Sequence, residues 1–148
     1  MRAGSLGYLP FPMTAKDIMH APAVTIGQDE TVARLCDLLQ EKHVNGAPVI
    51  DEGGELVGIV TEEDVLYGSM GSEDGEAPEG EARTPTLVRD IMTSPAVCAT
   101  EDTEVVEICE LMWQMRIHRV PIVKDGKVTG IVAAMDVVRA VAERRLTP

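Results

Sequence analysis

Aromatic side chains are almost missing from this chain: one Trp, two Tyr and one Phe make up 3% of its 148 residues. Any interior must be packed from Val, Ile, Leu, Met and Ala, which a hydrophobic content of 45% supplies. Positive charge is also scarce. Lys and Arg number 13 against 25 Asp and Glu, a net charge of −12. That excludes a general nucleic-acid binder, because neutralising a phosphate backbone takes clustered Lys and Arg. An anionic small molecule would need a local group of donors acting against the overall field. Cysteine is limited to Cys36, Cys98 and Cys109, with no CxxC spacing. A disulfide framework is excluded, and a reduced, cytoplasmic setting is expected. No stretch approaches the ~20 apolar residues of a membrane span, and "MRAGSLGYLPFP" lacks the apolar run of a signal peptide. Membrane partners are therefore not expected. Walker loops, His–Cys metal clusters and Gly-x-Ser-x-Gly elbows are absent too, so no residue constellation supports an enzyme or a metal site.

What is present is a duplication. Displaced by 73 residues, "DIMHAPAV" (Asp17–Val24) falls on "DIMTSPAV" (Asp90–Val97). Cys36 falls on Cys109 and Pro48 on Pro121. Gly54 is one extra turn residue, after which "GIVTEEDV" (Gly58–Val65) falls on "GIVAAMDV" (Gly130–Val137). Of 49 aligned pairs, 17 are identical, against roughly three by chance from ordinary residue frequencies. The expected organisation is a flexible N-terminal segment (1–14), a first repeat (15–66), an acidic linker rich in Gly, Pro and Glu (67–87), and a second repeat (88–148). The linker has too few large apolar groups to offset its ordering entropy.

Each repeat carries the same periodicities. "AVTI" and "AVCA" read as short extended runs. Val32, Leu35, Leu38 and Leu39 form one helical stripe, repeated by Val105, Ile108, Leu111, Met112 and Met115. "APVI" and "LVGIV" are β-rich runs joined by a turn signal, matched by "VPIV" and "VTGIV". A second helix is expected from Thr61, and its counterpart to about Arg145. The order is β-α-β-β-α, twice, an α/β (α+β) fold. Its short apolar strands need cover on both faces, which sheet-to-sheet packing about a pseudo-twofold axis would give. Cys36 and Cys109 are expected as buried thiols. Met112 and Met115 are expected in the core, and Trp113 beside them as a surface anchor.

A tandem of such units, each opening on "DIM…P.V" and closing on "GIV…D", resembles the CBS domain pair (Bateman module). The resemblance covers Ala15–Leu66 and Val88–Glu143. It implies a non-enzymatic regulatory module that binds an adenosyl ligand (AMP, ADP, ATP or S-adenosylmethionine) in clefts between repeats. It also implies a homodimer that acts on a separate target protein. A structural dimerisation module with vestigial clefts is the rival.

Thr61 stands where a strand gives way to a helix, whose free N–H groups suit a phosphate. Asp64 is one turn on, and its carboxylate could accept from both hydroxyls of a ribose, the role the resemblance implies. Thr-x-x-Asp before an apolar run is equally a capping pattern, and both roles can coexist. The second copy keeps Asp136 although Thr61 is replaced by Ala133, which favours a ligand role. The resemblance completes this first site with His118 and Arg119 on phosphate, Val97 offering backbone to the adenine edge and Ile59 packing on its face. Arg is a forked, permanent cation suited to phosphate oxygens. A second site would hold Asp136 and Ile131, with Val24 and Thr25 near the base. There Asn45 and Gly46 stand in place of His118 and Arg119, and Met135 in place of Glu63. That cleft lacks obvious phosphate donors, so the two sites are expected to differ.

Overall fold

The computed structural model describes residues 13–71 and 85–143. The expectations for residues 1–12, the centre of the acidic linker (72–84) and the helix end at Arg145 lie outside the described residues. The first repeat forms α1 (Ala15–Ile18), β1 (Ile26–Gly27), α2 (Val32–Lys42), β2 (Gly46–Ile50), β3 (Leu56–Thr61) and α3 (Glu62–Gly71). The second forms α4 (Val88–Ile91), β4 (Ala99–Thr100), α5 (Val105–Met115), β5 (Arg119–Lys124), β6 (Lys127–Ala133) and α6 (Ala134–Ala142). The expected β-α-β-β-α order thus gains a short helix on each "DIM" phrase. Thr61 ends β3 and the helix begins one residue later, at Glu62. Helix α3 also continues through Tyr67 to Gly71, into the stretch whose composition suggested linker.

Each repeat holds a three-stranded sheet, ordered β1-β2-β3 and β4-β5-β6. The first pair in each is parallel and the second antiparallel, with Pro48 opposite Ile59 and Pro121 opposite Ile131. The β5–β6 hairpin turns on Asp125 and Gly126, both at positive φ (53° and 83°). That is the two-residue turn whose twist suits a hairpin.

The compact units do not follow the duplication. One comprises Val24–Ala96; the other combines Met1–Ala23 with Val97–Pro148. Each therefore keeps its own sheet and borrows the "DIM" segment of the other repeat. In the first unit, Val88 is fully buried beside Leu35, Val49 and Val60, with Ile91 and Met92 packed against them. Val32 N–H donates to the Thr86 carbonyl (2.9 Å), and Arg89 forms an ion pair with Asp29. In the second unit, Ala15 and Ile18 are buried with Val105, Ile108, Val120 and Val132. Val105 N–H donates to the Met13 carbonyl (2.7 Å) and Ala15 N–H to that of Thr103 (2.8 Å).

The glycine of each "GIV" phrase lies under the borrowed segment. A Cβ on Gly58 would stand 2.7 Å from the Thr93 carbonyl oxygen; on Gly130 it would stand 2.8 Å from that of His20. Both copies need Gly so that two backbones can approach.

Three packing expectations require correction. Leu35, Leu38 and Leu39 are buried as expected, but Cys36 is exposed and Cys109 only half-buried. One residue beyond the inward Leu35 or Ile108, a helical side chain points about 100° away from the core. Met115 is 52% exposed, because α5 ends at this residue and the chain leaves through Arg116 in a left-handed conformation. Trp113 is 76% exposed, with the Arg116 guanidinium 5.7 Å from its ring centroid.

Candidate functional site

Four carboxylates begin four helices in the same way. Asp17, Asp64, Asp90 and Asp136 each accept the backbone N–H three residues earlier, at 2.7–2.9 Å. This satisfies an orphan donor at the helix start and places negative charge at the positive end of the dipole. The Asp136 bond to Ala133 N–H needs no hydroxyl. Retention of Asp136 without a threonine is therefore explained by local hydrogen bonding, and the sequence argument that it signals a ligand loses its force.

The two carboxylates singled out in the sequence differ in their remaining oxygen. Asp64 is half-buried at the β3–α3 junction. Its Oδ2 accepts from Thr61 N–H (2.8 Å) and the Thr61 hydroxyl (3.1 Å). Its Oδ1 has no partner among the described residues. Ile59, two residues before Thr61, is tied by its backbone to Thr93 in both directions (3.0 and 2.9 Å). Asp136 is only 3% exposed, and its Oδ1 takes Arg139 Nη2 at 2.8 Å and His20 Nε2 at 2.9 Å. The His20 backbone pairs with Ile131 in both directions (2.9 and 3.0 Å). Neither His20 nor Arg139 was anticipated. Arg139 had a signal, the i,i+3 spacing from Asp136; His20 had none.

The unit Val24–Ala96 contains Val24, Thr25, Ile59, Thr61 and Asp64; Val97, His118, Arg119, Ile131 and Asp136 belong to the other. Val24 packs at the edge of the first core. Arg119 opens β5 opposite Ala133. His118 is exposed; its carbonyl accepts from Ala134 N–H (2.8 Å). It lines an open hollow of about 600 Å³ with Cys109, Met112, Trp113, Arg116 and Ile117. A hollow of about 690 Å³ lies at the equivalent place in the first repeat, lined by Cys36, Leu39, Gln40, His43, Val44 and Asn45. Burial in its hollow pushes the Cys109 thiol pKa up, and the neighbouring Glu110 adds to the effect. Among the described residues there is no metal-ligating cluster and no helix long and apolar enough to cross a membrane.

A family model described as CBS domain matches residues 15–71 and 88–143. Inosine-5'-monophosphate dehydrogenase of Methanocaldococcus jannaschii is 32% identical over 126 residues, which cover 84% of this chain. The CBS domain-containing protein CBSX1, chloroplastic, of Arabidopsis thaliana is 32% identical over 148 residues, covering 86% of the chain. The chain spans 23% of the length of the dehydrogenase and 61% of that of CBSX1. Among solved structures, the CBS domain pair of protein MJ0100, in complex with 5'-methylthioadenosine and S-adenosyl-L-methionine, superposes with a TM-score of 0.78 at 27% identity, covering 90% of this chain and 99% of that one. CBSX2 in complex with AMP gives 0.75 at 28% identity, covering 89% and 98%.

Proposed function

Because this chain belongs to the CBS domain family, with one domain in each repeat, we propose that it is a regulatory module that binds an adenine nucleotide and passes the signal to a separate protein. The observation that carries this reading is the likeness to two solved pairs, one holding AMP and the other holding 5'-methylthioadenosine with S-adenosyl-L-methionine. Asp64 is the ribose group in this reading. One of its oxygens serves the Thr61 cap and the other is open to vicinal hydroxyls. The family resemblance assigns His118 and Arg119 to phosphate, with Val97 and Ile59 at the adenine. The MJ0100 complex favours S-adenosylmethionine or a related thioether as the second candidate ligand.

Titration calorimetry with AMP, ATP and S-adenosylmethionine tests the reading. Asp64→Ala is expected to weaken nucleotide binding at least tenfold, about 1.4 kcal/mol. The same change removes a cap worth about 1 kcal/mol of stability, so its melting is compared with and without ligand. Wild-type protein that binds none of the three would favour the structural-module reading.

Homodimerisation belongs to the same proposal. Trp113 and Met115 at the end of α5, and Met135, Val138 and Val141 along α6, are large apolar groups left at the surface. Light scattering is expected to give twice the 16.0 kDa chain mass, and Trp113→Glu to return the chain to a monomer.

A further inference from the structure

We propose that Asp136 is a latent ligand group held shut by a clamp of His20 and Arg139. The inference rests on the adenine-nucleotide reading and adds a means of control to it. Asp64 and Asp136 occupy equivalent positions, and Oδ2 of each caps its own helix. Asp64 keeps its second oxygen for a visitor, whereas Asp136 spends its second oxygen on the Arg139 guanidinium and the His20 imidazole at 2.8 and 2.9 Å. The positions equivalent to Arg139 and His20 in the unit Val24–Ala96 are Tyr67 and Thr93. Neither donates a hydrogen bond to Asp64 among the described residues. The clamp therefore belongs to one compact unit only.

Its physical effect follows from bond strength and access. Arg139 is a permanent cation, so its bond to Asp136 carries a charge attraction that a neutral ribose hydroxyl lacks. With the carboxylate 3% exposed, no open face remains for a third partner. Arg139 and His20 are themselves 50% and 61% exposed, so they are free to swing outwards. Without them, a buried carboxylate would be short of donors, and two vicinal hydroxyls would supply what it lacks. His20 belongs to the borrowed segment and Arg139 to α6, so lifting that segment removes one arm of the clamp and an outward swing of Arg139 removes the other.

The test counts binding events on the full chain, with AMP and S-adenosylmethionine as probes. Wild type is expected to bind one equivalent per chain. His20→Ala combined with Arg139→Gln is expected to bind two, and adding Asp136→Asn to remove the second while leaving the first. Melting curves report whether each variant is folded. Should the pair of changes unfold the chain, Arg139→Lys alone, which keeps the charge and shortens the reach, is titrated for the same second event. A folded clamp variant that still binds one equivalent overturns the proposal, as does wild type that already binds two. Wild type that binds neither probe overturns the nucleotide reading, and the latent site with it.

Discussion

Gly130→Val is expected to cost the fold about 2–3 kcal/mol, the upper part of the range for forcing extra carbons into a packed place. In a chain of this size that lowers the melting temperature by on the order of 10 °C. The reason is the distance of 2.8 Å between the position of a new Cβ and the His20 carbonyl oxygen, with Met19 Sδ nearer still at 2.6 Å. A methionine side chain can rotate aside, but the carbonyl is held by its bond from Ile131 N–H (3.0 Å). The borrowed segment must lift or the strand must bend. Gly58→Val should behave alike, because Thr93 and Met92 press on it at 2.7 and 2.8 Å. Gly27→Ala is the control. There a Cβ meets only Glu30 Cγ, at an ordinary 3.5 Å, so a change within about 0.5 kcal/mol is expected. A Gly130→Val melt within a degree or two of wild type would show that no segment rests on this strand in solution.

The second large effect concerns where the chain can be cut. A fragment of residues 24–96 contains one complete compact unit. It is expected to unfold in a single cooperative step in urea. A fragment of residues 15–84 follows the duplication instead. It loses Val88, which is fully buried, together with Ile91 and Met92. It also loses the Thr86 carbonyl that receives the Val32 N–H at the head of α2. Removing Val88, worth about 1.5–3 kcal/mol as a fully buried side chain, with the smaller contributions of the partly buried Ile91 and Met92, takes a large share of the roughly 5–15 kcal/mol by which domains are stable. Circular dichroism should show no cooperative transition for residues 15–84. Equal cooperativity in the two fragments would contradict the exchange of segments.

Much of this organisation was legible in the sequence because it is local. The leucine stripe of α2 and the turn residues of both hairpins are set by near neighbours, and each copy of the duplication repeats them. The short helices on "DIM" were missed because a single turn has no periodicity to read, although Asp17 and Asp90 carry the capping spacing. The exchange of segments was out of reach for a different reason. "DIMHAPAV" and "DIMTSPAV" are nearly the same phrase, so nothing local says which of two similar sheets each will join. The site was half legible. Thr61 and Asp64 meet as their spacing requires, but the Asp136 environment is made by His20, a residue distant in sequence whose partner is fixed only by tertiary pairing. Cys36 shows the limit of the repeat argument. A shared position does not guarantee shared burial where the packing around it differs.

The borrowed segments also set an order of assembly during synthesis. As the chain leaves the ribosome in the N-to-C direction, residues 13–23 emerge before residues 24–96, and the strands and helices they cover, β4 to α6, emerge after them. Residues 24–96 can close as soon as Val88 and Met92 are free of the exit tunnel. Until β6 is made, Met13, Ile18 and Met19 have no surface to join. The nascent chain thus carries this apolar segment uncovered until β6 has been made. Chaperone capture would be greatest at that segment.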